Sequence, residues 1–153
     1  MDGAERDSLG MSLALLEAKK AYALGEVPVG SVIMKGDKVI GRGHNLKETL
    51  RDPTAHAEML AIRQAAVHEA SWRILDAVMY STLEPCPMCA GAIVMARIPR
   101  LVIGARDPRT GAAGSVLDLV RDERFNHRVE VVSGVMEEEC VSLLEAFFRE
   151  LRV

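Results

Sequence analysis

No stretch of this 153-residue chain approaches the roughly 20 consecutive apolar residues needed to cross a bilayer. Its N-terminus, Met1-Asp2-Gly3-Ala4-Glu5, lacks the basic and then apolar segments of a secretory signal. Cysteine is scarce. Of the 3 present, Cys86 and Cys89 stand at metal-ligand spacing, which leaves no pair for a disulfide and agrees with a reducing compartment. These absences predict a cytoplasmic protein with no membrane attachment. An excess of basic charge is missing too: a net charge of −3 and a pI near 5.8 are not the footprint of a general nucleic-acid binder. Neither a repeat nor a low-complexity linker interrupts the chain. At this length and 49% hydrophobic composition it is long enough for one well-buried domain and too short for two, so a single domain over 1–153 is expected.

What is present alternates between helical and strand patterns. Residues 8–24, rich in Leu, Ala and Lys, read as a helix. Strands at 27–34 and 39–43 flank a Gly36-Asp37 turn and pair as a hairpin. A helix near His56 follows, then a strand at 77–83, a helix from Cys86 and a strand at 101–105, an order that implies a parallel crossover. A short helix at 116–120, a strand at 129–132 and a closing helix at 136–152 complete the reading. The expected fold is α/β, a three-layer helix-sheet-helix sandwich around a five-stranded mixed sheet. Helix starts that follow strands put any site at the carboxyl ends of the strands.

Two short runs carry the chemistry: His56-Ala57-Glu58 and Pro85-Cys86-Pro87-Met88-Cys89. Imidazole nitrogen and thiolate sulfur are zinc donors, and a site with three protein ligands keeps its fourth position for water. Such a water loses its proton near neutral pH, at roughly 7 against 15.7 in bulk. Cys86 and Cys89 lie about one helical turn apart, with Pro87 suited to a first helical position. The free N–H groups at a helix start favour thiolate over thiol. Asp52-Pro53-Thr54 suggests the same arrangement upstream, with His56 in a first turn. Residues two apart on a helix point about 200° apart, so Glu58 is read as a proton carrier and not as a ligand. The alternative is a closed structural site with a fourth protein ligand. Cys140 falls on the apolar stripe Met136, Cys140, Leu143, Leu144, Phe147, Phe148, Leu151 and reads as core, while His44, His68 and His127 stand outside any ligand spacing.

With those motifs in place, the chain resembles the bacterial tRNA-specific adenosine deaminases of the cytidine/deoxycytidylate deaminase superfamily. The similarity runs through Glu26-Val27-Pro28-Val29-Gly30, Gly43-His44-Asn45, 52–58, 82–86, Gly104-Ala105-Arg106-Asp107 and Phe125-Asn126-His127-Arg128-Val129. The zinc motifs are shared with cytosine, cytidine and guanine deaminases. The segment from Asp107 through Thr110-Gly111-Ala112-Ala113-Gly114-Ser115, with Asn126-His127-Arg128, is what favours the tRNA branch. The resemblance implies conversion of adenosine to inosine at the wobble position of a tRNA anticodon stem-loop by a homodimer with one Zn2+ per subunit. His56, Cys86 and Cys89 would hold the metal, and Glu58 would move protons to the ring N1 and the leaving amine.

The resemblance also implies a substrate-binding set. Asn45 would hydrogen-bond the base or its sugar, or else cap the turn after the hairpin. The Ala57 backbone N–H would face the oxygen held on zinc, and Glu84 is carried over with the run that ends at Cys86. Asp107 would contact the RNA near the target, or cap the turn before Pro108. Asn126 and Arg128 match positions that touch the anticodon loop, although Arg128 also reads as a solvated charge at a strand entry. Phe147 and Phe148 divide between core and base stacking. The segment 97–109 carries Arg97, Arg100, Arg106 and Arg109 against Asp107 alone, a local +3 (four minus one), and Arg149 and Arg152 add charge near the C-terminus. Ala90, Ile93, Val94 and Met95 form an apolar face suited to a subunit interface or to a core. The rival functions are a free-base or nucleoside deaminase acting on guanine or cytosine, and a non-catalytic zinc-stabilised RNA-binding subunit.

Overall fold

The computed structural model describes residues 1–151. Helix α1 (Gly3–Ala23) opens the chain, with the Asp2 carboxylate accepting the Glu5 N–H at 2.8 Å as its N-cap. Strands β1 (Gly30–Lys35) and β2 (Lys38–His44) form the expected hairpin. A one-turn helix α2 (Lys47–Leu50) and the longer α3 (Ala57–Glu69) precede β3 (Val78–Leu83), α4 (Pro87–Met95) and β4 (Arg100–Ala105). Strand β5 (Glu130–Ser133) and helix α5 (Glu137–Leu151) close it.

The five strands make one sheet in the order β2-β1-β3-β4-β5. The β1 pairings are antiparallel, and β3, β4 and β5 run parallel. Strict alternation along the strands feeds two cores. Ile33, Met79, Leu101 and Ile103 point to the face covered by α3 and α4, while Val32, Met34, Tyr80 and Val102 point to the face covered by α1 and α5. The three-layer sandwich expected from the sequence is the observed one.

Two expectations about elements do not hold. Residues 116–120 form no helix: Val116 N–H and Leu117 N–H both donate to the Gly111 carbonyl, Gly114 N–H donates to the Leu117 carbonyl, and Ala113 bridges Asp118. Gly114, at φ 131°, turns the chain there in a way open to glycine. The first helix begins five residues before the expected start at Ser8, because Asp2 caps it.

Candidate active site

Both metal-motif helices begin later than the sequence reading placed them, α4 at Pro87 and not Cys86, and α3 at Ala57, so that His56 precedes its first turn. His56 is the N-cap of α3 and Cys86 the N-cap of α4, each with extended backbone. Pro87 is the reason at Cys86, since the residue before a proline is driven away from helical angles. Asp52 caps no helix; its carboxylate takes the Thr54 N–H and hydroxyl and tightens the turn that delivers His56. Neither N-cap side chain makes a capping hydrogen bond, and the imidazole and the thiol face each other.

They do so with Cys89 from the first turn of α4. His56 Nδ1 lies 3.6 Å from Cys86 Sγ and 3.4 Å from Cys89 Sγ, and the three donor atoms fall within 4.8 Å of one another. A tetrahedral ion with bonds of about 2.0 Å to nitrogen and 2.3 Å to sulfur would hold N and S about 3.5 Å apart. The residues therefore fit zinc in type and spacing. Among the described residues no other cluster of this kind occurs. His44 faces Glu17, His68 faces Glu69 and His127 Nε2 lies 2.7 Å from the Ile98 carbonyl, while Cys140 is packed in the α1/α5 layer. Among the described residues the donor set is thus three. Hydrogen bonding from Cys89, against the opposing effect of burial, and then from His56 draws the Cys86 thiol well below its usual value and favours the thiolate form that a metal takes.

Glu58, in the first turn of α3, is buried at 4% exposure and lines a cavity of about 180 Å³ with His56, Ala57 and Cys86. Burial pushes its carboxyl up to about 7, against the pull of its own backbone N–H and of His56. A carboxyl poised near neutrality suits a group that must both take and give a proton. Val27, Val29 and Leu83 supply apolar walls, and Asn45, Asp107 and Thr110 supply polar ones. The volume is on the scale of the roughly 150 Å³ cavity that admits one benzene ring, so a single heterocycle fits and a whole nucleotide does not. Helix α3 can approach this closely because Gly43 sits on β2 beneath it; a Cβ there would lie 2.5 Å from the Ala57 carbonyl oxygen.

The other sequence-predicted residues divide. Asn45 lines the cavity and also closes the turn, its Oδ1 accepting the Lys47 N–H at 3.1 Å and its amide donating to the Val27 carbonyl at 3.3 Å. Asp107 likewise does both, accepting the N–H of Arg109 and of Thr110. Glu84 lines the same cavity, and its carboxylate accepts hydrogen bonds from donors of the 107–115 loop. Those donors hold it below the ordinary carboxylate range although burial pushes the other way. Of the two phenylalanines Phe147 is the core one, packed edge-on to Tyr22, whereas Phe148 is exposed.

Phe148 lines a second, wider cavity of about 610 Å³ with Arg106, Arg109 and Arg149, and this space shares Val27, Leu83 and Asp107 with the first. Asn126 and Arg128 are not brought to either cavity. They precede β5, whose first residue pairs with Arg100 at the start of β4, so within one chain they lie at the far end of the sheet. Arg97 and Arg100 are at that end as well, Arg97 over Trp72 and Arg100 on Asp7. Arg152 lies outside the described residues. On α4, Ala90, Ile93 and Val94 are core and only Met95 of that face is exposed.

Sequence reasoning missed Glu26. It is buried at 1% exposure and accepts the N–H groups of Glu48 and Thr49, fixing the short α2 beside Asn45 and Lys47 on the cavity rim. Its signal is a lone acid before Val27-Pro28, with no spacing to mark its partners.

The profile of the MafB19-like deaminase family matches residues 6–152. A tRNA-specific adenosine deaminase of Bacillus subtilis is 53% identical over 147 residues, covering 96% of this chain and 91% of that protein. One of Haemophilus influenzae is 49% identical, with 97% and 86% covered. A solved structure from work on A-to-I editing by tRNA:A34 deaminases at the wobble position of transfer RNA superposes with a TM-score of 0.85 at 43% identity, covering 89% of this chain and 99% of that one. A guanine deaminase from Nitrosomonas europaea shares the fold, with a TM-score of 0.76 at 20% identity. By profile, identity and superposition this chain belongs to the MafB19-like deaminases, among the bacterial tRNA-specific adenosine deaminases.

Proposed function

We propose that the chain converts adenosine to inosine at the wobble position of a tRNA anticodon, in the cytoplasm, as a homodimer holding one zinc ion per subunit. The observation that carries this reading is the three-donor cluster with buried Glu58 beside a cavity sized for one base, in a chain about half identical to tRNA-specific adenosine deaminases.

His56, Cys86 and Cys89 hold the metal, which when bound supplies an activated water for attack at the carbon bearing the amino group. Glu58 carries the protons, first to ring N1 and then to the departing amine, so that ammonia leaves. The α3 start is open at Ala57, and its N–H offers a donor to oxygen on the reacting carbon. Val27, Val29 and Leu83 pack on the ring and keep bulk water away. Asn45 and Asp107 orient the base and its sugar. An anticodon loop presents unstacked bases, so little unpairing is needed. The wider cavity beside the first, lined by Phe148, Arg109 and Arg149, has the stacking surface and the cations for neighbouring nucleotides. Exposed Val67, Trp72 and Met95 in the α3/α4 layer are the apolar surface available to a second subunit.

The test is inosine formation in an anticodon stem-loop with adenosine at the wobble position, run beside free guanine and cytosine. Conversion of the stem-loop alone is the expected result. Turnover of a free base instead overturns the RNA reading, and a concentration-independent monomer mass removes the dimer.

A further inference from the structure

Glu84 follows β3, stands two residues before Cys86 and lines the site cavity, and its carboxylate is taken up by hydrogen bonds from a neighbouring loop. Its side chain has no exposed area. Oε1 accepts the Asp107 N–H at 3.0 Å and the Ser115 hydroxyl, and Oε2 accepts the N–H groups of Ala113 and Ser115, each at 3.0 Å. Three main-chain donors from one loop therefore converge on a single carboxylate. Gly111 completes the fit, since a Cβ there would stand 2.5 Å from Oε2. The same loop contributes Asp107 and Thr110 to the cavity wall, and the Asp107 side chain is itself fixed by the N–H groups of Arg109 and Thr110 and the Thr110 hydroxyl. The position of Asp107 thus depends on a turn whose backbone is tied to the sheet through Glu84.

We propose that Glu84 is a positioning residue whose buried carboxylate holds the 107–115 loop as a preformed wall for the RNA strand, acting through Asp107 on substrate affinity. It has no part in the proton transfers, because none of its lone pairs is free. A loop that is already ordered does not have to be ordered on binding, so removing the anchor weakens association more than the chemical step. This inference rests on the RNA deaminase reading given above.

Inosine formation in the stem-loop is measured for the parent, Glu84→Gln, Ser115→Ala, Asp107→Ala and the Glu84→Gln/Asp107→Ala double variant, with metal content and amide exchange on the unliganded proteins. Gln keeps the shape but sets an NH2 against an N–H donor. Glu84→Gln is expected to keep its metal, speed exchange at 107, 113 and 115, and raise KM about tenfold with kcat within about threefold. Placed on Asp107→Ala it changes KM by less than about twofold more, because residues acting as one unit are not additive. Ser115→Ala removes one of the four contacts, the hydroxyl, and keeps the Ser115 N–H; it shifts exchange and KM the same way by a smaller factor, which keeps the test standing if Glu84→Gln does not fold. A fall in kcat at unchanged KM, unchanged exchange in both variants, or additive effects with Asp107→Ala would overturn the proposal. A parent inactive on the stem-loop defeats the RNA reading instead, and the exchange data still decide whether Glu84 holds the loop.

Discussion

Glu58 and Glu84 are both buried carboxylates, and their surroundings send them in opposite directions. Burial dominates at Glu58 and pushes it up to about 7, whereas the loop donors around Glu84 outweigh burial and keep it ionised. The same residue type is thereby suited to carrying a proton in one place and to anchoring a loop in the other, by the number of donors around it. Glu58→Ala is expected to lower kcat by about 10²–10⁴ or more, the range for a positioned proton-transfer group. Its metal content should match the parent by atomic emission, because Glu58 is not one of the three donors. Loss of the ion along with activity would make Glu58 a ligand. The cluster of His56, Cys86 and Cys89, with Glu58 beside it, was legible because the chemistry fixes residue type and short spacing together. Glu84 and Glu26 were not, because their partners are backbone N–H groups 22 to 31 residues away that any sequence supplies. The split between Phe147 and Phe148 was readable only as a choice, since adjacent residues on a helix edge differ in burial by the neighbour they meet, here Tyr22.

At the scale of elements, the site is made by two helix starts arriving side by side at the carboxyl ends of the sheet. Gly43 lets α3 lie close on β2, so Gly43→Ala is expected to displace the His56 end of α3. It should cost about 1–3 kcal/mol of stability, the usual range for overpacking, and weaken metal retention, as read by thermal denaturation and by dialysis against a chelator. Unchanged stability and unchanged metal would show that the helix can shift freely. At the opposite end, Asp7 on α1 takes two bonds of 2.8 Å from Arg100 on β4 and one of 2.9 Å from the Tyr80 hydroxyl on β3. The Arg100 guanidinium holds the Asp7 carboxyl below its usual value, so this contribution is complete above about pH 4 and is lost as the pH falls through the lower folded value. Asp7→Asn is expected to remove about 2 kcal/mol at neutral pH and to make the acid limb of a urea-stability series shallower. Helices and strands with clear periodicity were legible throughout. The 116–120 segment was not, because Val116 and Leu117 are exposed turn residues whose apolar side chains mimic a buried face. The one-turn α2 was missed because a buried acid from elsewhere in the chain caps it.

Across the whole molecule the net charge of −3 hides a local excess on one side. The basic run 97–109 looks continuous in sequence, but β4 passes through it, so Arg97 and Arg100 are left at one end of the sheet and Arg106 and Arg109 are carried to the other. There Arg109 and Arg149 border the wider cavity, and among the described residues neither has a carboxylate at ion-pair distance, whereas Arg106 lies 3.8 Å from Glu84. Two cations free to meet phosphates predict a slope of log affinity against log salt near −1.4 for a single-stranded loop, from about 0.7 per phosphate. Arg149→Ala should flatten that slope by about 0.7, and Arg97→Ala, at the far end over Trp72, should leave it unchanged. The measurement is fluorescence anisotropy of a labelled stem-loop with the metal-loaded protein across a salt series. A slope that stays at the parent value in Arg149→Ala would move the phosphate path away from the wider cavity. A slope that falls in Arg97→Ala would bring the far end of the sheet, where Asn126 and Arg128 also lie, into contact with the RNA.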